Sequence, residues 1–403
     1  LEQQIQVTLY NPHKNQKKIH DAINNGTEKY YVLNIGRQFG KTLLADNQAL
    51  HWMFNEDKCK VGWVSPVYKQ CKKVYEEIEA AFSSNPFVFS EKNKTDLTFK
   101  TINGSTLQFF SAERYDNIRG FTFDYLIIDE FAFVDEAAWT EVLRATVLVK
   151  GKKVLLISTP KGKNHFYTMH QLDGVNPQYK SFTMTSYDNP LINPTEIDDA
   201  RITLPDHVFR QEYLAEFIDG GAGIFNPTFD DRKGGTLFYG GVDLGRADDY
   251  SVLSILNEKG EQVYCERWRH DSWSNISSKI AEKINEYKAS VYIEVNSIGD
   301  AIFEQIKNLC NNQGDVYPFV TTSKSKTDAI ESMAVATQNN ELVFQPHDWL
   351  KKEFDVYTFE YNPKSRSVKY GAPYGFHDDG IMATAFSYQA MKHLRSSGEY
   401  FIS

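Results

Sequence analysis

The chain has 403 residues, 41% of them hydrophobic and 14% aromatic, and a formal net charge of −9. That length exceeds one ordinary domain, the aromatic content excludes a disordered chain, and no apolar run approaches the roughly 18 residues that a membrane span needs. The acidic balance does not point to nucleic acid, yet leaves room for it, because a carboxylate-lined metal site lowers net charge while local grooves stay basic.

In chain order, the first twenty residues are polar, with Lys14, Lys17 and Lys18 and no apolar core after them, so no secretory leader is expected in this stretch. Within "NPHKNQKKIH", Gln16 could read an adenine edge with its amide or stand as a solvated helical residue. A β-type run, Tyr30–Ile35, leads into "GRQFGKT" and then into helical periodicity over Thr42–Phe54. Strand, glycine loop and helix in that order are the setting of a phosphate-binding loop. Counted back from Lys41, the usual first glycine position holds Ile35, with Gly36 one place late and Arg37 behind it. Gly36 and Gly40 would let backbone amides approach phosphate, Lys41 would neutralise it, and the Thr42 hydroxyl would ligate magnesium.

A strand at Lys60–Ser65 and a helix over Val67–Phe82 follow, then Asp96–Ile102 and Thr106–Ser111 as a hairpin about "NGS". Strand Phe123–Ile128 runs through "LIIDE" into Asp129 and Glu130. The first acid suits magnesium, and the second suits orienting and deprotonating an attacking water. Strand Lys153–Ser158 ends in "STPKG", where the hydroxyls of Ser158 and Thr159 can sense a terminal phosphate or simply make a turn. The alternation of strands and helices predicts an α/β domain with a largely parallel sheet. Cys59, Cys71, Cys265 and Cys310 are widely spaced and read as free thiols.

The glycine-rich segment Asp219–Gly235 is the linker expected here, dividing the chain into domains at 1–220 and 236–403 with 221–235 between them. Beyond it, strands are expected at Leu237–Val242, Ser251–Leu256, Glu261–Trp268 and Val291–Val295, with a helix over Ile276–Tyr287. Asp243 and Glu294 lie at strand ends, and Asp378 and Asp379 begin an amphipathic helix. Carboxylates so delivered can hold two hard divalent cations for in-line cleavage of a phosphodiester. Each acid alone could be an ordinary strand-end or helix-start charge. Asp248 or Asp249 is an auxiliary ligand candidate, and His377 reads as a polar neighbour, since magnesium and manganese prefer oxygen. Asp355–Gly371 reads as a hairpin with Lys364, Arg366 and Lys369 near its tip, facing DNA phosphates or solvent. The clusters Lys69/Lys72/Lys73 and Lys324/Lys326 read equally as solvated faces.

"GRQFGKT", "LIIDE" and "STPKGKNHFY", in this order, resemble the ATPase motor of tailed-phage large terminase subunits, and the later acids resemble that family's RNase H-like nuclease domain. The resemblance implies a P-loop (ASCE-type) motor with ATP and Mg2+, followed by a nuclease using Mg2+ or Mn2+. It implies Arg37 as a cis-acting finger on the γ-phosphate; the plain alternative pairs Arg37 with a loop carboxylate, and Arg114 and Arg119 compete for a finger acting across subunits. Lys41 and Thr42 would contact phosphate and metal, Asp129 and Glu130 form the acidic pair, and Ser158–Thr159 couple hydrolysis to movement. Asp243 and Asp378 would bind metal most directly, with Glu294 and Asp379 completing the shell. The expected partners are double-stranded DNA, a portal protein and a small terminase subunit, in a homo-oligomeric ring on the procapsid, in the host-cell cytoplasm and with no membrane. The competing readings are a DNA-repair or remodelling ATPase-nuclease, and a non-catalytic packaging component whose nuclease acids are relics.

Overall fold

The computed structural model describes residues 9–218, 223–245, 249–296, 299–310, 314–362 and 367–398. Two compact units emerge, one formed chiefly by Leu1–Ala200 and Val208–Asp219, the other chiefly by Arg201–His207, Gly220–Asn362 and Ser367–Ser403.

The first unit is built on eight strands: β1 (Tyr30–Ile35), β2 (Lys60–Ser65), β3 (Phe89–Asn93), β4 (Thr98–Thr101), β5 (Thr106–Ser111), β6 (Tyr125–Asp129), β7 (Lys153–Ser158) and β8 (Tyr179–Met184). They lie in the order β3-β4-β5-β2-β6-β7-β1-β8. From β5 to β8 every neighbouring pair is parallel, and β3, β4 and β5 run antiparallel at one edge. A parallel sheet covered on both faces needs strands that are apolar throughout. β1 and β6 come close, apolar except for Asn34 and Asp129 and buried at every position. Their side chains alternate between two cores: Tyr31, Leu33, Ile35 and Ile127 enter one, and Tyr30, Val32, Leu126 and Ile128 the other.

The expected hairpin is present as β4 and β5, with the chain turning at Asn103–Gly104. The edge strand β3 and the outermost β8 lie outside the expected set. The run expected at Phe123–Ile128 is in register with its neighbours from Tyr125, and Asp124 before it bonds Lys60 twice, its amide donating to Lys60 O and its carboxylate accepting from Lys60 N, each at 2.9 Å. The expected helices occur at Lys41–Asn55 and Tyr68–Ala81.

In the second unit a short pair, β9 (Thr228–Phe229) with β15 (Val343–Phe344), accompanies a five-stranded sheet. That sheet comprises β10 (Phe238–Asp243), β11 (Ser251–Asn257), β12 (Gln262–Trp268), β13 (Ser290–Glu294) and β14 (Asp315–Phe319), in the order β12-β11-β10-β13-β14. β10 is antiparallel to β11 and parallel to β13. The expected strands correspond to the first four; β14 carries the exposed Tyr317 and no clear alternation. The helix Asp379–Gly398 lies against β10 so closely that a Cβ added at Gly241 would come within 2.2 Å of the Ala383 carbonyl oxygen. A hairpin of β16 (Thr358–Asn362) and β17 (Ser367–Gly371) precedes that helix. The expected tip residues Lys364 and Arg366 fall outside the described residues, as does Asp248. Among the described residues, no helix is long and apolar enough to cross a membrane.

Candidate functional site

Each unit gathers one cluster of functional side chains. In the first, the chain leaves β1 and makes a loop over Gly36–Gly40, with Gln38 (φ 58°) and Gly40 (φ 91°) both left-handed. The loop is fastened from behind. Gly36 N donates to Met184 O at 2.8 Å and Arg37 N to Glu212 O at 2.7 Å. Ser186 Oγ donates to Arg37 O, and Asn189 Nδ2 to Gln38 O, each at 2.7 Å. Gly36 is required by close approach, since a Cβ there would lie 2.6 Å from Tyr213 O. Lys41 opens the following helix, and its Nζ donates to Gly36 O at 3.4 Å, across the loop.

Gln16 is buried and turned inward. Its Oε1 accepts from His13 N at 3.1 Å and its Nε2 donates to Gly40 O at 3.2 Å. The amide expected to face adenine therefore braces the phosphate loop, and an adenine edge would have to share or displace that bond.

Asp129, the last residue of β6, is buried beside Thr42 and Lys41. Burial, reinforced by the charge of Glu130, pushes its carboxyl up to about 7, against the opposing pull of Lys41 and of a hydrogen bond from Thr42. A carboxylate driven to hold a proton next to a hydroxyl is a donor pair that a hard cation would relieve, so these residues fit magnesium. Glu130 sits at φ 51°, a left-handed position that turns it out of the strand line. There its Oε2 accepts from Ser158 Oγ at 3.2 Å. Thr159 is also buried. The following turn is tied to the residues after Glu130, with Asn164 Nδ2 donating to Ala132 O at 2.8 Å and His165 Nε2 3.1 Å from Phe131 O.

Arg37 stands at the loop's mouth with its guanidinium Nε 2.7 Å from Glu212 Oε2. Its side chain is 61% exposed and that of Glu212 only 9%. Lys161 Nζ lies 4.0 Å from the other Glu212 oxygen. The arginine is thus held by a carboxylate, and Glu212, which no motif in the sequence announced, is a member of the site. Arg119 makes exposed pairs with Asp116 and Glu141, and Arg114 is exposed at a kink. Lys72 and Lys73 pair with Glu76 and Glu77 along one helix, which balances that basic cluster.

In the second unit, β10 ends in Asp243 and its parallel neighbour β13 in Glu294, so the sheet sets the two carboxyls side by side. The helix beginning at Asp379 packs closely against β10. Burial raises the Asp243 carboxyl well above the usual range; Glu294 and Asp379 add to this, followed by a hydrogen bond to Glu294 and the charge of Asp378. Asp379 is pushed to about 7, again by burial first, although Tyr250 N donates to it at 3.3 Å. Asp378 is partly neutralised by Lys326, whose Nζ lies 3.3 Å away. The charges of Glu294, Asp379 and Asp378 reach Asp243 in that order, but among the described residues no three of these four acids bring ligand atoms within 4.8 Å of one another. Asp249, His377 and Asp379 offer ligand atoms within 4.8 Å of one another. Mutually repelling carboxyls, Asp379 buried and Asp243, Glu294 and Asp378 half-buried, are oxygen donors of the kind that divalent cations draw together. Lys326, Tyr250, Arg267 and Glu353 also surround this corner, and sequence spacing pointed to none of these for that role.

The family model described as "Terminase large subunit, T4likevirus-type, N-terminal" matches residues 32–228. The terminase large subunit of Thermus virus P23-45 is 28% identical, across 94% of this chain and 87% of its own length. That of Escherichia phage T5 is 29% identical, across 63% of this chain and 62% of its own. Among solved structures, the large terminase of a thermophilic bacteriophage aligns with a TM-score of 0.51 at 15% identity, covering 94% of this chain and 98% of that one. This last likeness bears on the fold alone.

Proposed function

We propose that this chain, a member of the phage terminase large-subunit family, hydrolyses ATP in its first unit to drive double-stranded DNA into a procapsid and cuts concatemeric DNA at the carboxylates of its second. The observation that carries the reading is the pairing of two chemistries on one chain. The braced phosphate loop lies by Asp129, which precedes the Glu130 that Ser158 bonds, and in the second unit the charges of Glu294 and Asp379 reach Asp243. At the first, the loop amides and Lys41 hold the phosphates, and Thr42 and Asp129 hold magnesium. Glu130, steadied by Ser158, takes the proton of the attacking water. Arg37 exchanges Glu212 for the γ-phosphate, where a guanidinium fork meets the charge that develops in transfer.

At the second corner, Asp243, Glu294 and Asp379 hold the divalent cations, with Asp378 completing the set. When bound, two such ions stabilise the attacking and leaving oxygens of the cleaved phosphodiester. Oxygen donors suit magnesium and manganese alike. Double-stranded DNA, a portal protein and a small terminase subunit are the partners of this reading, with several copies acting as a ring on the procapsid in the host-cell cytoplasm.

The test measures DNA-stimulated phosphate release and plasmid cutting in magnesium or manganese, for the unmutated chain and for Asp243→Ala. Cutting by the first and not the second, with phosphate release in both, is expected. Absence of cutting in both would leave only a motor, and equal cutting in both would mean that the acids assigned here are the wrong ones.

A further inference from the structure

Beside the carboxylates of the second unit lies a cavity of about 220 Å³ whose lining includes Tyr250, Arg267, Trp349, Glu353, Phe376 and His377. We propose that it receives a single nucleobase, turned out of the DNA strand next to the bond being cut. The inference rests on the nuclease reading above and adds a substrate-positioning site to it.

Position is the first argument. His377 directly precedes the acidic pair, Tyr250 N donates to Asp379, and Glu353 Oε2 accepts from Gly380 N at 2.9 Å and Ile381 N at 3.3 Å. The cavity wall and the cation corner therefore share their backbone, and a phosphodiester held at the acids has its flanking base within reach. Size is the second. The cavity is below the roughly 300–1,000 Å³ of sites for drug-sized ligands; it suits one planar ring system and not a base pair.

The third argument is an unmet hydrogen bond. Glu353 is only 5% exposed, and its Oε1 has no hydrogen-bond partner, the nearest cation being Arg267 Nη1 at 4.0 Å. A buried acceptor left open is costly and calls for a donor. The open oxygen takes a polar partner, and the amino and imino edges of bases supply one. The walls suit such a ring. The Arg267 guanidinium lies between Tyr250 and Trp349, 4.2 and 4.5 Å from their ring centres, which fixes its plane. Phe376 is 45% exposed at the rim, an aromatic face open to stacking. Enzymes that do chemistry on a base hold it extruded between aromatic or apolar side chains and read its edge by hydrogen bonds; here the same grip would only place the strand. Stacking tolerates any base, so the pocket positions the strand without demanding a sequence.

The test compares the full-length chain with Trp349→Ala and Phe376→Ala. Plasmid cutting in manganese should show a KM raised about tenfold in Phe376→Ala, within the range of losing one base–aromatic stack, and a raised KM in Trp349→Ala, which releases the plane of Arg267, while the manganese concentration for half-maximal cutting stays unchanged. On an Asp243→Asn background that binds without cutting, a duplex with 2-aminopurine stepped along one strand should show a fluorescence change at one position only, abolished by Trp349→Ala. Phe376 is exposed, so its variant folds; unchanged melting and phosphate release identify a properly folded Trp349→Ala. Cutting by the unmutated chain with unaltered KM in both variants and no position-dependent signal overturns the pocket alone. No cutting by the unmutated chain in any divalent cation overturns the nuclease reading and the pocket with it.

Discussion

The cation corner depends on how closely one helix approaches one strand, and Gly241 sets that distance. A Cβ there would lie 2.2 Å from Ala383 O, 2.3 Å from Ser387 N and 2.7 Å from Phe386 Cβ, where ordinary contact begins at 3.4 Å. Two of these neighbours are backbone atoms of the helix Asp379–Gly398, so no rotamer change relieves them; the helix must move by about 1 Å or more. Overpacking of this kind costs about 1–3 kcal/mol. At about 2–4 °C per kcal/mol for a domain of this class, Gly241→Ala should lower the melting temperature of the second unit by about 2–12 °C. The same movement carries Asp379 away from Asp243, and a misplacement of about 1 Å costs roughly a hundredfold in rate. Cutting should therefore fall far more than folding does, at a temperature where the variant remains folded, while phosphate release in the first unit persists. Gly240→Ala is the comparison: its Cβ meets mainly the Val291 side chain, at 2.8 Å, so it should destabilise with a smaller loss of cutting. A Gly241→Ala chain that melts and cuts like the unmutated one would refute the idea that this contact holds the acids together.

Arg37→Ala should slow ATP turnover by about 10³-fold or more while nucleotide binding persists; phosphate release at near-normal speed would reject the finger and leave Arg37 as a partner of Glu212 only. Ser158→Ala removes the hydroxyl donated to Glu130, a bond to a charged group, and should slow turnover about ten- to a hundredfold; an unchanged rate would show that Glu130 is oriented without it. Asp379→Asn should abolish cation-dependent cutting and Lys41→Ala should not, measured on plasmid in manganese; loss of cutting in both would deny the separation of the sites. The pH dependence has a defined sign. Asp379 has its ordinary carboxyl pKa of 3.8 when unfolded and about 7 when folded, so the folded state holds the extra proton. Its contribution to stability is full below about pH 4 and is lost as pH rises toward 7. Melting curves in chelator should fall over that window, and magnesium should restore more stability at pH 8 than at pH 5; equal restoration at both would count against a cation at this carboxyl.

Much of this protein is legible along the chain, because the features involved are local. Largely apolar runs such as Tyr30–Ile35 and Leu126–Ile128, bounded by turn residues, read as strands buried on both faces, and Gly36, Gly40, Lys41 and Thr42 carry their chemistry within seven residues. Asp129 and Glu130 at a strand's end are visible in the same way. What periodicity does not contain is where separate elements meet. β3, β8 and β14 exist because a sheet edge accepts them, and their short or polar-mixed sequences carry little signal of their own. The pairing of Arg37 with Glu212 spans most of the first unit, and Gln16 finds Gly40 rather than a base only once its helix is docked. Glu353 lies in an ordinary amphipathic helix, "DWLKKEFDV", and acquires its role from the helix start it caps. Acids at 243, 294, 378 and 379 are plain in the sequence as carboxylates; that the charges of the other three reach Asp243 follows from strand order and from a glycine small enough to let a helix in.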